Sequence, residues 1–84
     1  MRLPSEPVTL TPEEIGEINS KLANMRHDIN NQLSLMMAAL ELIHYKPETT
    51  QRMMAMLAEQ PPRISNALGQ FSTEFEQSLG ITRP

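Results

Sequence analysis

The sequence lacks cysteine and tryptophan altogether, and it contains only two histidines and three glycines. Without cysteine the chain can form neither disulfides nor cysteine-based metal sites or nucleophiles, and two histidines are too few for a zinc-stapled domain. Aromatic residues make up only 4% of the 84 residues, so a monomer has few ways to bury a sufficient core. We therefore expect long helices and a partner chain to supply the missing stability.

An excess of basic residues and a long apolar run are also missing. A formal net charge of −3 argues against nucleic acid as a partner, because non-specific binding to phosphates needs a basic face. The most apolar stretch, residues 33–43, is too short to cross a bilayer, and the N-terminus has no signal-peptide core. We expect no membrane partner and a cytoplasmic location.

What the sequence does contain is a complete helix start. Residues 1–10 carry two prolines and predict an extended lead-in. Thr11 can then cap the helix, Pro12 suits the first helical position, and Glu14 completes a capping box with Thr11. We predict a first helix over about 12–44.

Apolar residues spaced three and four apart support this helix. They are Ile15, Ile18, Leu22, Met25, Ile29, Met36, Leu40 and Ile43, with Leu33 partly filling a gap at Gln32. Pro47 cannot continue a helix and disfavours helical geometry at Lys46, so the first helix ends here. Pro47 is also suited to the first turn of a second helix.

The second helix is predicted from a similar stripe: Met54, Leu57, Ile64, Leu68, Phe71 and Phe75. Pro61 and Pro62 fall within it, and two missing backbone donors predict a kink or a short break. Two separate helices, 48–59 and 61–79, are the alternative. The glycine at position 80 predicts a Schellman stop.

Two arms of similar length joined by a tight turn predict an all-α antiparallel hairpin over residues 11–80, followed by a C-terminal tail at 81–84. Further apolar residues widen the face of each arm: Leu33, Met37, Met53 and Leu79. Because one hairpin cannot cover that width, we expect two copies to pair as a dimeric four-helix bundle.

His27 is the candidate reactive residue. In the heptad implied by the apolar stripe it lies farthest from the packed face, with Asn24 one turn before it and Asn31 one turn after. Asp28 is adjacent, and Ser34 continues the polar strip. An exposed imidazole is a competent nucleophile near neutral pH, and a neighbouring carboxylate or amide can assist it.

The run 26–33, Arg-His-Asp-Ile-Asn-Asn-Gln-Leu, resembles the H-box of sensor histidine kinases. In that family the H-box lies on the first helix of the dimerisation and histidine-phosphotransfer domain, and the resemblance extends over about 11–80. It implies that His27 is the phosphoacceptor, that Asp28 is the general base or orienter, and that Asn31 assists phosphoryl transfer. Asn30 is less clearly placed, although a His-Asp-x-Asn-Asn order occurs in the family.

The resemblance also implies partners: a second copy of the chain and the receiver domain of a response regulator, docked near His27. The candidate contact residues are Asn24, Arg26, Asn30, Ser34 and Arg63. Basic residues near His27, which include Lys21, would favour an incoming phosphate or an acidic receiver face.

Two departures from the family pattern matter. Many members have proline where this chain has Gln32. Counting from the turn, residue 27 is predicted to lie opposite about residue 64, so Pro61 and Pro62 would supply local flexibility at the H-box level.

The second departure is the missing ATP-binding domain. Three glycines form no phosphate loop, so we expect no bound cofactor, and ATP with Mg²⁺ would act only through a separate histidine kinase domain. Whether this chain is a kinase fragment or a free-standing phosphotransfer protein stays open. A catalytically silent dimerisation or adaptor module, or a regulator that mimics the kinase bundle, is the alternative function.

Overall fold

A computed structural model describes residues 2–81 as two long helices joined by a tight turn. Helix α1 spans Pro12–Tyr45, a 3-10 turn spans Pro47–Thr49, and helix α2 spans Thr50–Leu79. The predicted all-α hairpin is confirmed. Within residues 2–81 no helix combines the length and hydropathy that crossing a bilayer requires. The predicted tail at 81–84 lies outside the described residues except for its first position.

Helix α1 begins at the predicted capping box. The Glu14 backbone N–H donates to the Thr11 hydroxyl at 3.1 Å, and the Thr11 N–H donates to the Glu14 carboxylate at 3.1 Å. Pro12 occupies the first helical position, where its missing N–H costs nothing. These reciprocal bonds satisfy donors that every helix start leaves free, so the sequence signal and the structure coincide.

The turn differs slightly from the prediction. Helix α1 ends at Tyr45, and the Lys46 N–H still donates to the Leu42 carbonyl at 2.7 Å. Pro47 begins a 3-10 turn instead of α2 itself, which starts at Thr50. The Thr49 and Thr50 hydroxyls each donate to the carbonyl three residues earlier, at 2.7 and 2.6 Å. These bonds hold the chain in the tighter turn before the α-helix starts.

Helix α2 continues through both internal prolines without a break. The alternative of two separate helices is therefore wrong. Pro61 and Pro62 have no N–H, so the carbonyls of Leu57 and Ala58 lose the donors that an α-helix normally gives them. Leu57 and Ile64 are both partly buried on either side of the prolines. Packing against α1 thus holds the helix together where its own hydrogen bonds are incomplete.

Helix α2 ends in the predicted Schellman motif. Gly80 adopts a left-handed conformation with φ of 70°, and the Ile81 N–H donates to the Glu76 carbonyl at 2.8 Å. A side chain would be strained at that φ, which explains the glycine.

The two arms pack along a seam of buried and half-buried positions spaced three and four apart. In α1 these are Ile18, Leu22, Met25, Ile29, Gln32, Met36, Ala39 and Ile43; in α2 they are Met53, Leu57, Gln60, Ile64, Ala67, Phe71 and Glu74. The ion pair between Lys21 and Glu74, at 3.8 Å, shows which residues of the two arms lie opposite each other. It brings Ile29 level with about Ala67, so a large side chain faces a small one.

This seam coincides only in part with the stripe that the sequence predicted. Leu40, Met54, Leu68 and Phe75 were expected to pack, but they are 57%, 56%, 45% and 37% exposed. The residue just before each of them lies in the seam instead: Ala39, Met53, Ala67 and Glu74. Small and polar residues therefore form part of the contact within the hairpin, while several of its largest apolar residues remain in solvent.

Candidate functional site

Four polar side chains lie together on the exposed surface of α1. Asn24, His27, Asp28 and Asn31 are spaced three and four residues apart, so they are neighbours on one patch of the helix. All four are exposed. We call them the His27 patch. No glycine or proline interrupts α1 around the patch, so a regular helix holds its side chains at fixed spacing.

The side chain of Asn31 contacts the His27 ring directly. Its amide nitrogen lies 3.4 Å from Nε2, close to the long limit for a hydrogen bond. With the amide nitrogen toward the ring, Nε2 is the acceptor and Nδ1 carries the proton. Asn31 is thus on the same face as His27, as predicted, and its contact with Nε2 favours the tautomer that is protonated at Nδ1.

Asp28 is placed differently from its predicted role beside the ring. Among the hydrogen bonds of residues 2–81, none joins Asp28 to His27. The carboxylate instead lines a shallow open groove between the arms, together with Asn24. Because Asp28 and His27 are consecutive, a change of rotamer is the movement that could bring the carboxylate toward Nδ1.

The groove is the feature that sequence reasoning missed. Its α1 wall contains Lys21, Met25 and Asp28, and α2 contributes Ala67, Gln70, Phe71 and Glu74. Lys21 and Glu74 meet across it at 3.8 Å with 43% and 32% of their side chains exposed, which makes a weak ion pair. Knowing the seam would have revealed the groove, since Lys21, Asp28 and Gln70 each precede a seam residue.

The remaining predicted contact residues spread over three sides of the patch. Ser34 continues the line of His27 toward the turn, while Arg26 and Asn30 lie on the side of α1 away from the groove. The register brings position 27 level with about position 68, not the expected 64. Along the hairpin axis, Arg63 therefore lies about 9 Å from His27 toward the turn. Lys21 lies a similar distance from His27 toward the open end of the hairpin.

The same register changes the position of the two α2 prolines relative to His27 from the one predicted. Pro61 and Pro62 lie level with about residues 34 and 35, roughly two turns from His27 toward the turn of the hairpin. The expectation that they lie at the H-box level is corrected accordingly. Within residues 2–81 no cluster of three or more His, Asp or Glu side chains could hold a metal ion. His44 occupies the last turn of α1, with its ring against Tyr45.

Comparison of the chain with family profiles, with characterised proteins and with solved structures returned no match in any of the three.

Proposed function

We propose that this hairpin is a histidine phosphoacceptor and dimerisation domain of two-component signal transduction, with His27 exchanging a phosphoryl group with a response-regulator receiver domain. The observation that carries the proposal is the contact of Asn31 with Nε2 of an exposed imidazole at 3.4 Å, beside the carboxylate of Asp28. The resemblance of residues 26–33 to an H-box supports the same chemistry.

The transfer step follows from this arrangement. The Nε2 lone pair attacks the phosphorus of an aspartyl phosphate, the P–N bond forms, and the P–O bond to the aspartate breaks. The departing carboxylate keeps the electron pair of that bond. The Nδ1 proton then leaves to Asp28 or to water, so the phosphorylated ring is neutral.

Asn31 and Asp28 have separate roles in that step. The amide of Asn31 must move away from Nε2 before this nitrogen attacks the phosphorus. Little free energy is lost, because a hydrogen bond as long as 3.4 Å is weak. The freed amide can then donate to a phosphoryl oxygen. Asp28 acts as base or orienter toward Nδ1 after its carboxylate turns from the groove to the ring. No phosphate loop is present, so ATP with Mg²⁺ would contribute through a separate kinase domain in the cytoplasm.

The receiver domain would dock on the groove beside the His27 patch. Asn24 would form part of this surface from inside the groove, and Ser34 and Arg63 would lie at its edge. This mixture of amide, hydroxyl and guanidinium groups suits the polar rim of a transient interface. Arg26 and Asn30 follow seam residues and lie on the other side of α1, so this docking surface would not include them.

The test uses phosphoramidate, a chemical donor whose own P–N bond breaks to release ammonia. We expect acid-labile phosphate on His27, complete loss of that label in His27→Gln, and retention in His44→Gln, which removes the other exposed histidine. The labelled chain should then lose phosphate to a receiver domain. Equal labelling of both histidines would contradict an activated His27, and label without transfer to any receiver would favour the silent adaptor.

The dimer is the second part of the proposal, and the apolar residues exposed next to the seam support it. We call this set the apolar flank: Leu33, Met37, Leu40, Met54, Pro61, Leu68 and Phe75. Each of them directly follows a seam residue, whereas the groove residues Lys21, Asp28 and Gln70 precede one. The apolar flank therefore lies on the opposite side of the hairpin from the groove, on both arms.

The angle between the apolar stripe and the seam supports a second copy of the chain as the occupant. At 100° per residue, the centre of the strongest apolar stripe is rotated about 50° from the centre of the seam. In a square four-helix bundle, the direction to the bundle centre differs by about 45° from the direction to a neighbouring helix. The stripe therefore points where the core of a bundle of two hairpins would lie.

The size of the apolar flank agrees with this occupant. Its large side chains are 37–64% exposed, which amounts to on the order of 600 Å² of apolar surface. Monomeric proteins rarely expose larger apolar patches, and a stable interface buries about 800 Å² per partner. Two copies joined by this flank would leave both grooves and both His27 patches open.

A further inference from the structure

Two glutamines interrupt the otherwise mostly apolar seam at its middle. Gln60 is only 2% exposed, and Gln32 is partly buried. In the register of the arms, Gln32 is level with about Ile64, and Gln60 with about Met36. The two amides therefore lie one seam layer apart on facing helices.

Both glutamines carry a buried side-chain oxygen without a donor. Oε1 of Gln32 and Oε1 of Gln60 are the buried side-chain polar atoms that lack a hydrogen-bond partner among residues 2–81. Native interiors leave few such atoms unsatisfied, so each needs an explanation. A pair of them in adjacent layers is a stronger signal than either alone.

The donor that could satisfy one of these oxygens is used elsewhere. Nε2 of Gln60 donates at 2.8 Å to the carbonyl of Met56, one turn back on the same helix. In an α-helix that carbonyl already faces the backbone N–H of residue 60. The side-chain bond is therefore made to an acceptor that does not depend on it.

The backbone next to Gln60 is the least constrained part of α2. Pro61 and Pro62 remove two consecutive helical hydrogen bonds, those to the carbonyls of Leu57 and Ala58. Segments with fewer backbone bonds open and shift at lower free energy than the rest of a helix. The prolines thus make α2 easier to deform beside Gln60, within one seam layer of Gln32.

We propose that Gln32 and Gln60 form a two-position amide switch in the seam. In the position described here, the Gln60 amide is bonded to its own helix. In the second position it turns across the seam, Nε2 of each glutamine donates to Oε1 of the other, and both unsatisfied oxygens gain a partner. Pro61 and Pro62 allow the small displacement of α2 that brings the amides within hydrogen-bond distance.

The switch would change the surroundings of the reactive residue as well. Gln70 and Glu74 line the groove from α2, so a displacement of α2 that completes the amide pair also moves this wall relative to the His27 patch on α1. This consequence rests on the proposed function, whereas the amide switch itself does not.

The experiment follows the side-chain amides of ¹⁵N-labelled full-length chain by NMR. We expect a nuclear Overhauser contact between the Gln32 and Gln60 amide protons, with relaxation dispersion at both side-chain amides and at the backbone amides of residues 56–60 and 63–66. Gln60→Met and Gln32→Met keep the side-chain volume and remove the amide, and each should abolish the dispersion. Gln51→Met, at an exposed glutamine in the first turn of α2, should leave it unchanged.

Two results would overturn the switch. One is a single rigid state in which the Gln60 amide contacts only residue 56 and no dispersion occurs. The other is dispersion that persists in Gln60→Met, since motion would then come from the prolines alone. Neither readout involves phosphate, so loss of phosphoryl transfer with the switch intact would count only against the proposed function.

Discussion

The two flanks of the seam differ in almost every property although they are built by the same two helices. On one side, Lys21, Asp28 and Gln70 line an open groove next to the His27 patch. On the other side, Leu40, Leu68 and the other residues of the apolar flank are exposed. A shift of one or two residues along the chain separates these environments. The hairpin thus has two unlike surfaces on opposite sides of one seam, so the proposed chemistry and the proposed association would use different sides.

The largest expected effect breaks the apolar flank. Leu40→Glu combined with Leu68→Glu should convert the dimer to a monomer and raise its dissociation constant by at least about 10³-fold. Each leucine contributes about 1.5–3 kcal/mol when fully buried, and a two-fold axis counts each substitution twice. Sedimentation equilibrium measures the change.

A control variant adds the same number of negative charges to the groove instead of the apolar flank. Asn24→Glu combined with Gln70→Glu adds as many carboxylates on the opposite flank, where both residues line the groove. This variant should keep the dimer mass. Dissociation by both double variants would show that net charge, and not the location of the apolar flank, controls association.

The second prediction alters chemistry without altering association. Asp28→Asn and Asn31→Ala should each slow phosphoryl transfer from His27 by about 10–100-fold, because they remove the base and the amide beside the ring. The sedimentation mass should not change. Phosphohistidine formation over time measures the rate, and a normal rate in Asp28→Asn would assign that carboxylate to the groove alone.

The third prediction compares substitutions of Pro61 and Pro62, which lie on different sides of α2. Pro62 lies away from the seam, whereas Pro61 follows the seam residue Gln60 and belongs to the apolar flank. Pro62→Ala should stabilise the chain by about 1–3 kcal/mol, because the Ala58 carbonyl regains a donor. Pro61→Ala should gain less, since it also removes apolar surface. Thermal unfolding at equal chain concentration compares them, and identical gains would contradict the placement of Pro61.

The smallest expected effect lies in the groove. Lys21→Ala should change stability by less than about 0.5 kcal/mol, because its ion pair with Glu74 is long and both side chains are substantially exposed. Urea unfolding detects the difference. A loss above about 1 kcal/mol would show that the groove side also contributes to holding the arms together.

The sequence predicted the elements that depend on local chemistry. The Thr11–Glu14 capping box, the stop at Gly80 and the turn around Pro47 each follow from the hydrogen bonds or dihedral angles of a few consecutive residues. Tertiary packing overrode the local rule at Pro61 and Pro62, where proline normally ends a helix. The apolar spacing from Leu57 to Ile64 stays in phase across the prolines and favoured a single arm, whereas the local rule alone would have ended the helix.

The choice of seam was harder for a related reason. Hydrophobic periodicity finds the most apolar stripe, and that stripe includes Leu40 and Phe75. The contact within one hairpin instead uses Ala39, Gln60 and Glu74, since the packed direction is rotated from the apolar one. Position 27 was correctly placed on the exposed surface, and its contact with Asn31 followed from helical spacing. The groove depends on register across the seam and could not be read from one helix.

The turn at Lys46 and Pro47 has a consequence for how the chain folds. Seam partners nearest the turn, such as Ile43 and Met53, are separated by about ten residues, whereas Ile18 finds its partner across about sixty. Closing a short loop costs less conformational entropy than closing a long one. Once one seam layer has formed, the next layer has to close only the few residues between them. We expect the methionine-rich end near the turn to form the folding nucleus. The remaining seam layers would then form one after another from the turn outward, and the layer beside His27 would form only in the later steps.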